Sequence, residues 1–97
     1  MKIGERLSIN KIRKGYIIQK GKCIYVIVKT NICRDEKCSS VTVFPVIDQI
    51  ELPLLSKLLN NDQLYDEIIN ACIVLDYNDF IYDSYTYIDH LVIKRRR

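Results

Sequence analysis

Long apolar runs are missing from this sequence. Cysteine aside, the longest unbroken one is five residues, Ile24 to Val28, against the ~20 that a bilayer-spanning helix needs, so a transmembrane helix is excluded. The first fifteen residues alternate charged and apolar positions and hold no secretory core, which predicts a cytoplasmic protein, in host cytoplasm if the source is viral. Tryptophan is absent, and there are three glycines, two prolines, one histidine and one alanine. Such scarcity leaves no glycine-rich cofactor loop, no low-complexity linker and no histidine cluster for a metal. No cofactor is therefore expected.

What is present is a small core and an uneven charge map. Ninety-seven residues, 48% of them hydrophobic, support a single domain over 1–97 that buries roughly two-thirds of its unfolded surface. Isoleucine occurs sixteen times. With the Lys, Asn and Tyr content, this suggests an AT-rich genome of viral, phage or low-GC bacterial type. Net charge is only +3, yet residues 1–30 carry eight basic side chains against one acid, Glu5. Residues 48–89 carry nine acids against one base, Lys57, and the chain then closes on Lys94, Arg95, Arg96 and Arg97. The opposed segments either face one another or leave a basic surface able to release counterions from nucleic acid.

Local patterning predicts an α+β fold: a twisted antiparallel sheet or small open barrel around a central β-hairpin, with two short helices in mid-chain. Residues 1–14 read as a basic arm, and Tyr16 to Gln19 as a short strand ended by Lys20-Gly21. Lys22 to Ile32 and Ser39 to Ile47 are β-rich and flank the charged loop Arg34-Asp35-Glu36-Lys37. Placing Cys33 opposite Cys38 sets the pairing rule i + j = 71. One face then collects Ile24, Val26, Val28, Val41, Val43 and Ile47 as the core side, and the other Tyr25, Ile27, Lys29, Thr42, Phe44 and Val46. Pro45 makes the second strand an edge, or bulged, at that point. Leu52, Leu55, Leu58 and Leu59 repeat at helical spacing with Pro53 in the first turn. Asn60-Asn61-Asp62 interrupts them, and Asp62 is expected to cap a second helix carrying Leu64, Tyr65, Ile68, Ile69 and Cys72. Tyr77-Asn78-Asp79 reads as a turn between strands Ile73–Leu75 and Phe80–Tyr87, with a last strand over Leu91–Ile93.

Candidate sites are few. The cysteine gaps of nine, four and thirty-three residues do not match zinc spacing, so no metal is expected. Reduced thiols are the default in a reducing compartment, and Cys33 and Cys38 are a possible hairpin disulfide. Asp89 and His90 are neighbours that a strand would point to opposite faces. Tyr77, Tyr82, Tyr85 and Tyr87 alternate with acids, as on a wet strand that meets a protein partner or a second copy of the chain. Lys11, Arg13, Lys14, Lys20, Lys22, Lys94, Arg95, Arg96 and Arg97 are the candidate phosphate contacts.

Gly15-Tyr16-Ile17-Ile18, Ile24 to Val28 and Val41 to Asp48 (VTVFPVID) resemble the first three strands of the MazF/PemK family of small barrel toxins, and Ile88 to Arg96 is similar to its closing strand and basic segment. The resemblance implies a dimeric endoribonuclease. The chain departs from it at the long arginine-bearing loop, here only Gln19 to Lys22, and at the hydroxyl residue replaced by Ile47-Asp48, so no catalytic residue is carried over. The function expected from the residues is a non-enzymatic protein binding nucleic acid, DNA or RNA, through a basic face. A viral or phage inhibitor of a host protein and a diverged ribonuclease are the alternatives.

Overall fold

The computed structural model describes residues 2–47 and 51–94. Its centre is a five-stranded antiparallel sheet built from β1 (Tyr16–Lys20), β2 (Cys23–Asn31), β3 (Ser40–Val46), β4 (Ile73–Asp76) and β5 (Thr86–His90). The strands lie in the order β4-β3-β2-β1-β5. The sheet stays open and does not close into a barrel. Helices α1 (Leu52–Leu59) and α2 (Asp62–Asn70) lie between β3 and β4, and a third, α3 (Tyr77–Tyr82), follows β4 directly. Fold class and both mid-chain helices are as the sequence predicts.

The local causes are plain in most places. Gly21 at φ 59° makes the two-residue turn Gly21-Lys22, so Lys20 pairs with Cys23 and Ile17 with Val26. Pro53 occupies the first turn of α1, where its missing N–H costs nothing. Asn61, rather than Asp62, caps α2, its side chain accepting from the N–H groups of Gln63 and Leu64. β4 pairs with β3 only from Ser40 to Val43, so Pro45 sits where β3 has become an edge and no hydrogen bond is forfeited.

The hairpin register is half as expected. Asn31, Thr30 and Lys29 pair with Ser40, Val41 and Thr42, following i + j = 71. A bulge at Val28 then removes one position, and Ile27, Val26 and Ile24 pair with Val43, Phe44 and Val46. A bulge sets two residues against one and shifts everything beyond it. Ile47 therefore leaves the core and is 93% exposed, while Val46 takes the buried place.

Nor is there a single core face. Leu7, Ile9 and Ile12 from the N-terminal segment join Ile18, Ile27, Val41, Val43, Leu75, Phe80, Tyr85 and Tyr87 on one side of the sheet. On the other side Leu55, Leu59 and Ile68 of the two longer helices cover Ile17, Val26, Val28 and Val46. Adjacent residues such as Ile17 and Ile18 feed opposite layers, as a strand's alternation requires. Each such buried side chain contributes roughly 1.5–3 kcal/mol of transfer free energy. The segment read as a basic arm is thus part of the structure, its apolar residues lying under the sheet.

Residues 77–87 are the largest correction. Tyr77-Asn78-Asp79 opens a helix, and the strand begins only at Thr86. The cause is a reciprocal cap: Asp76 accepts from the Asp79 N–H at 3.2 Å while Asp79 accepts from the Asp76 N–H at 2.9 Å, satisfying two orphan donors of the first turn. The expected strand over Leu91–Ile93 is an irregular stretch beyond β5.

Candidate nucleic-acid interface

Ile9 and Ile12 are buried at 1% and 3% exposure, and a 3-10 turn over Ile9–Lys11 joins them. Anchoring the apolar positions forces the intervening polar ones outward, so Lys11, Arg13 and Lys14 are exposed. The segment is pinned at one more place. Ser39, itself buried, accepts from the Cys33 N–H at 2.9 Å and donates to Asn10 Oδ1 at 3.0 Å.

Lys11, Arg13 and Lys14 line an open cleft of about 680 Å³ with Asn10, Ile12, Tyr16, Thr30 and Ile32. Tyr16 is half-buried and meets Tyr87 edge to face, with ring centroids 5.0 Å apart. Tyr87 Oη lies 3.0 Å from His90 Nδ1, and burial raises the Tyr87 phenol above its ordinary pKa, with Asp89 and Tyr16 adding to the rise. Among the described residues no carboxylate reaches ion-pair distance of Lys11, Arg13 or Lys14. The described lining of the cleft holds three cations and no carboxylate.

The other predicted cations are placed differently. Lys20 lies at the far end of β1, four residues and so about 13 Å along the strand from Tyr16. Its Nζ is 3.3 Å from Asp83 Oδ2 and 5.6 Å from the Tyr85 ring centroid. The hydrogen bond to Asp83 is the main reason its pKa is raised. Lys22 is exposed on the neighbouring turn. Lys94 donates its backbone N–H to Asn60 Oδ1, whose amide nitrogen donates to the Val92 carbonyl at 3.1 Å. The last described residues are thereby tied to the end of α1. Because Tyr16 pairs with His90, they leave the sheet at the same end as the cleft, on the face covered by α1 and α2. Arg95, Arg96 and Arg97 lie outside the described residues.

The tyrosine surface does not exist as a set. Tyr85 and Tyr87 are core residues at 1% and 7% exposure, Tyr77 packs against the same cluster, and only Tyr82, at 84%, is fully available. The sequence predicts Tyr77 in a turn and the other three on a wet strand, but the cap at Asp76 turns Tyr77 and Tyr82 onto a helix. Cys33 and Cys38 are free thiols, as are Cys23 and Cys72. Cys33 Sγ donates to the Cys38 carbonyl at 3.5 Å, and a 3-10 turn over Glu36–Cys38 replaces the ladder pair expected there. Burial pushes the Cys72 thiol up to about 11. Among the described residues no three His, Cys, Asp or Glu side chains converge in a way that could hold a metal ion.

Asn10, Tyr16, Thr30 and Ile32 do not stand out in the sequence as phosphate contacts, since none is charged. The β1–β2 register runs only from Lys20–Cys23 to Ile17–Val26. Before it the chain turns, the Tyr16 N–H donating to the Arg13 carbonyl and the Gly15 N–H to the Ile27 carbonyl, so the fold and not the register brings Thr30 to the cleft. Comparison with protein-family models, curated proteins and solved structures finds no match to this chain.

Proposed function

We propose that this protein binds nucleic acid through the cleft formed by Lys11, Arg13 and Lys14. The observation that carries the reading is the convergence of these three cations on one concavity with no carboxylate partner among the described residues. Unpaired, exposed cations retain their full attraction for phosphate, and each phosphate neutralised releases condensed counterions. Lys20, already paired with Asp83, contributes less. Lys94 starts the basic C-terminal run at the same end of the sheet and supplies further contacts from there.

Binding should therefore weaken as salt rises. Three phosphate contacts alone give a log–log slope of about −2 on a single strand and about −2.7 on duplex DNA. Fluorescence anisotropy with labelled DNA and RNA at low and physiological salt measures this directly. Salt-insensitive binding, or none at low salt, would remove the proposal. The resemblance to MazF/PemK toxins supports RNA cleavage as a second reading, although the family's arginine-bearing loop is here the turn Gly21-Lys22. Incubating the protein with a long RNA and a chelator separates a ribonuclease from a binder.

A further inference from the structure

We infer that the cleft takes a single strand, one unpaired base seated against Tyr16 and the flanking phosphates held by Lys11, Arg13 and Lys14. This deepens the nucleic-acid reading above and rests on it.

Duplex backbone is read by cations on an open face, and neither a concavity nor an apolar wall is needed for that. Here the cations line an open concavity of about 680 Å³. Two of its lining residues suit a base rather than a phosphate. Ile32 is 41% exposed, an apolar side chain facing solvent at the cleft. Tyr16 is half-buried and braced by Tyr87 at 5.0 Å and 72°, so its ring is positioned before any ligand arrives. A base within a duplex has both faces covered by its neighbours and must be unstacked to use such a ring, whereas a single strand offers its bases freely.

Asn10 adds a polar group. Its Oδ1 accepts from the Ser39 hydroxyl at 3.0 Å. The amide nitrogen has no partner among the described residues and remains a donor for a base edge.

The test uses the full chain with a labelled single strand of about 12 nucleotides and a duplex of the same sequence, as DNA and as RNA, at matched salt. The single strand should bind at least about tenfold more tightly than the duplex. Tyr16→Leu should lower single-strand affinity about tenfold while leaving the salt slope unchanged, and Tyr16→Phe should retain affinity. Since Tyr16 also braces Tyr87, circular dichroism checks the fold of each variant. Photo-crosslinking of a bromouracil-substituted strand to the unaltered protein provides an independent readout, with the adduct expected on Tyr16. Equal affinity for strand and duplex, or an adduct remote from the cleft, overturns this inference and leaves the nucleic-acid reading standing. Absence of binding to every probe at low salt removes both.

Discussion

The two ends of strand β1 carry like charge and meet different fates. At one end Lys11, Arg13 and Lys14 crowd a cleft and have no acid beside them among the described residues. At the other, Lys20 is bound by Asp83 at 3.3 Å, a residue 63 positions away in sequence that only the fold brings near. The acidic segment thus neutralises the basic one selectively. A count of charge along the chain cannot distinguish these ends, because neutralisation depends on which strand lies alongside. Here β5 follows α3 and delivers Asp83 to the Lys20 end, whereas its other end delivers His90 to Tyr16.

The comparison breaks most sharply by reversing charge at each end. Lys11→Glu, Arg13→Glu and Lys14→Glu together should weaken nucleic-acid binding by on the order of a hundredfold at low salt. Lys20→Glu should change it by less than about threefold, since that cation is already paired. Similar losses from both variants would mean that the two ends are equivalent. All three cleft substitutions are on exposed side chains, so thermal stability should move little.

A stability test bears on how the cleft end is held. Gly15 has φ 93°, and a Cβ there would stand 2.2 Å from the Leu91 carbonyl oxygen. The same residue donates to Ile27 and accepts from Leu91, at 2.7 Å and 2.6 Å. Neither the conformation nor the contact tolerates a side chain, and the obstacle is backbone that cannot swing aside. Gly15→Ala should cost about 3 kcal/mol or more, read as a lower midpoint in urea. An unchanged midpoint would show that the join of β1, β2 and the β5 exit is not tight.

What sequence can show here depends on how local the cause is. Helices α1 and α2 follow from leucine spacing and from Pro53 and Asn61, all within one or two turns, and the end of the β2–β3 hairpin follows from its flanking apolar alternation. The bulge at Val28 leaves no mark, because Val26, Ile27 and Val28 are all apolar and fit either register. Two covered faces instead of one are hidden for the same reason. Helix α3 is legible in principle: Asp76-x-x-Asp79 is a reciprocal cap, but the surrounding tyrosines favour a strand reading. In the cleft the cations stand out, whereas Thr30 and Ile32, at and just beyond the end of β2, become their neighbours only through the fold.

The cap also sharpens the comparison. Helix α3 leads straight to Asp83, so its first turn helps to place the carboxylate that meets Lys20. Asp76→Ala should destabilise the protein by about 1 kcal/mol. Amide hydrogen exchange should rise through Tyr77–Tyr82 while remaining unchanged across β1 and β2. Uniform protection in both proteins would mean that packing of Phe80, at 5% exposure, holds the helix without its cap.

The smallest effect is that of the Lys20–Asp83 pair itself. Its side chains are 38% and 41% exposed, so solvent screens the attraction and Asp83→Asn should cost no more than about 0.5 kcal/mol. Its pH dependence has a definite sign. Lys20 is raised above its ordinary 10.5, chiefly by the hydrogen bond from its ammonium to Asp83. The folded state therefore holds this proton more tightly than the unfolded chain does. The contribution is complete below the ordinary lysine value and is lost as pH rises through the raised one. Cys72 and the buried tyrosines also titrate upward of their ordinary values, so alkaline pH weakens the fold by several routes at once. A double-mutant cycle isolates the pair. The coupling between Lys20→Met and Asp83→Asn, measured at neutral pH and again above the raised lysine value, should be small and favourable in the first case and absent in the second. Coupling that persists at high pH would mean that the two side chains interact by packing against Tyr85, and Lys20 would then count among the free cations of the surface.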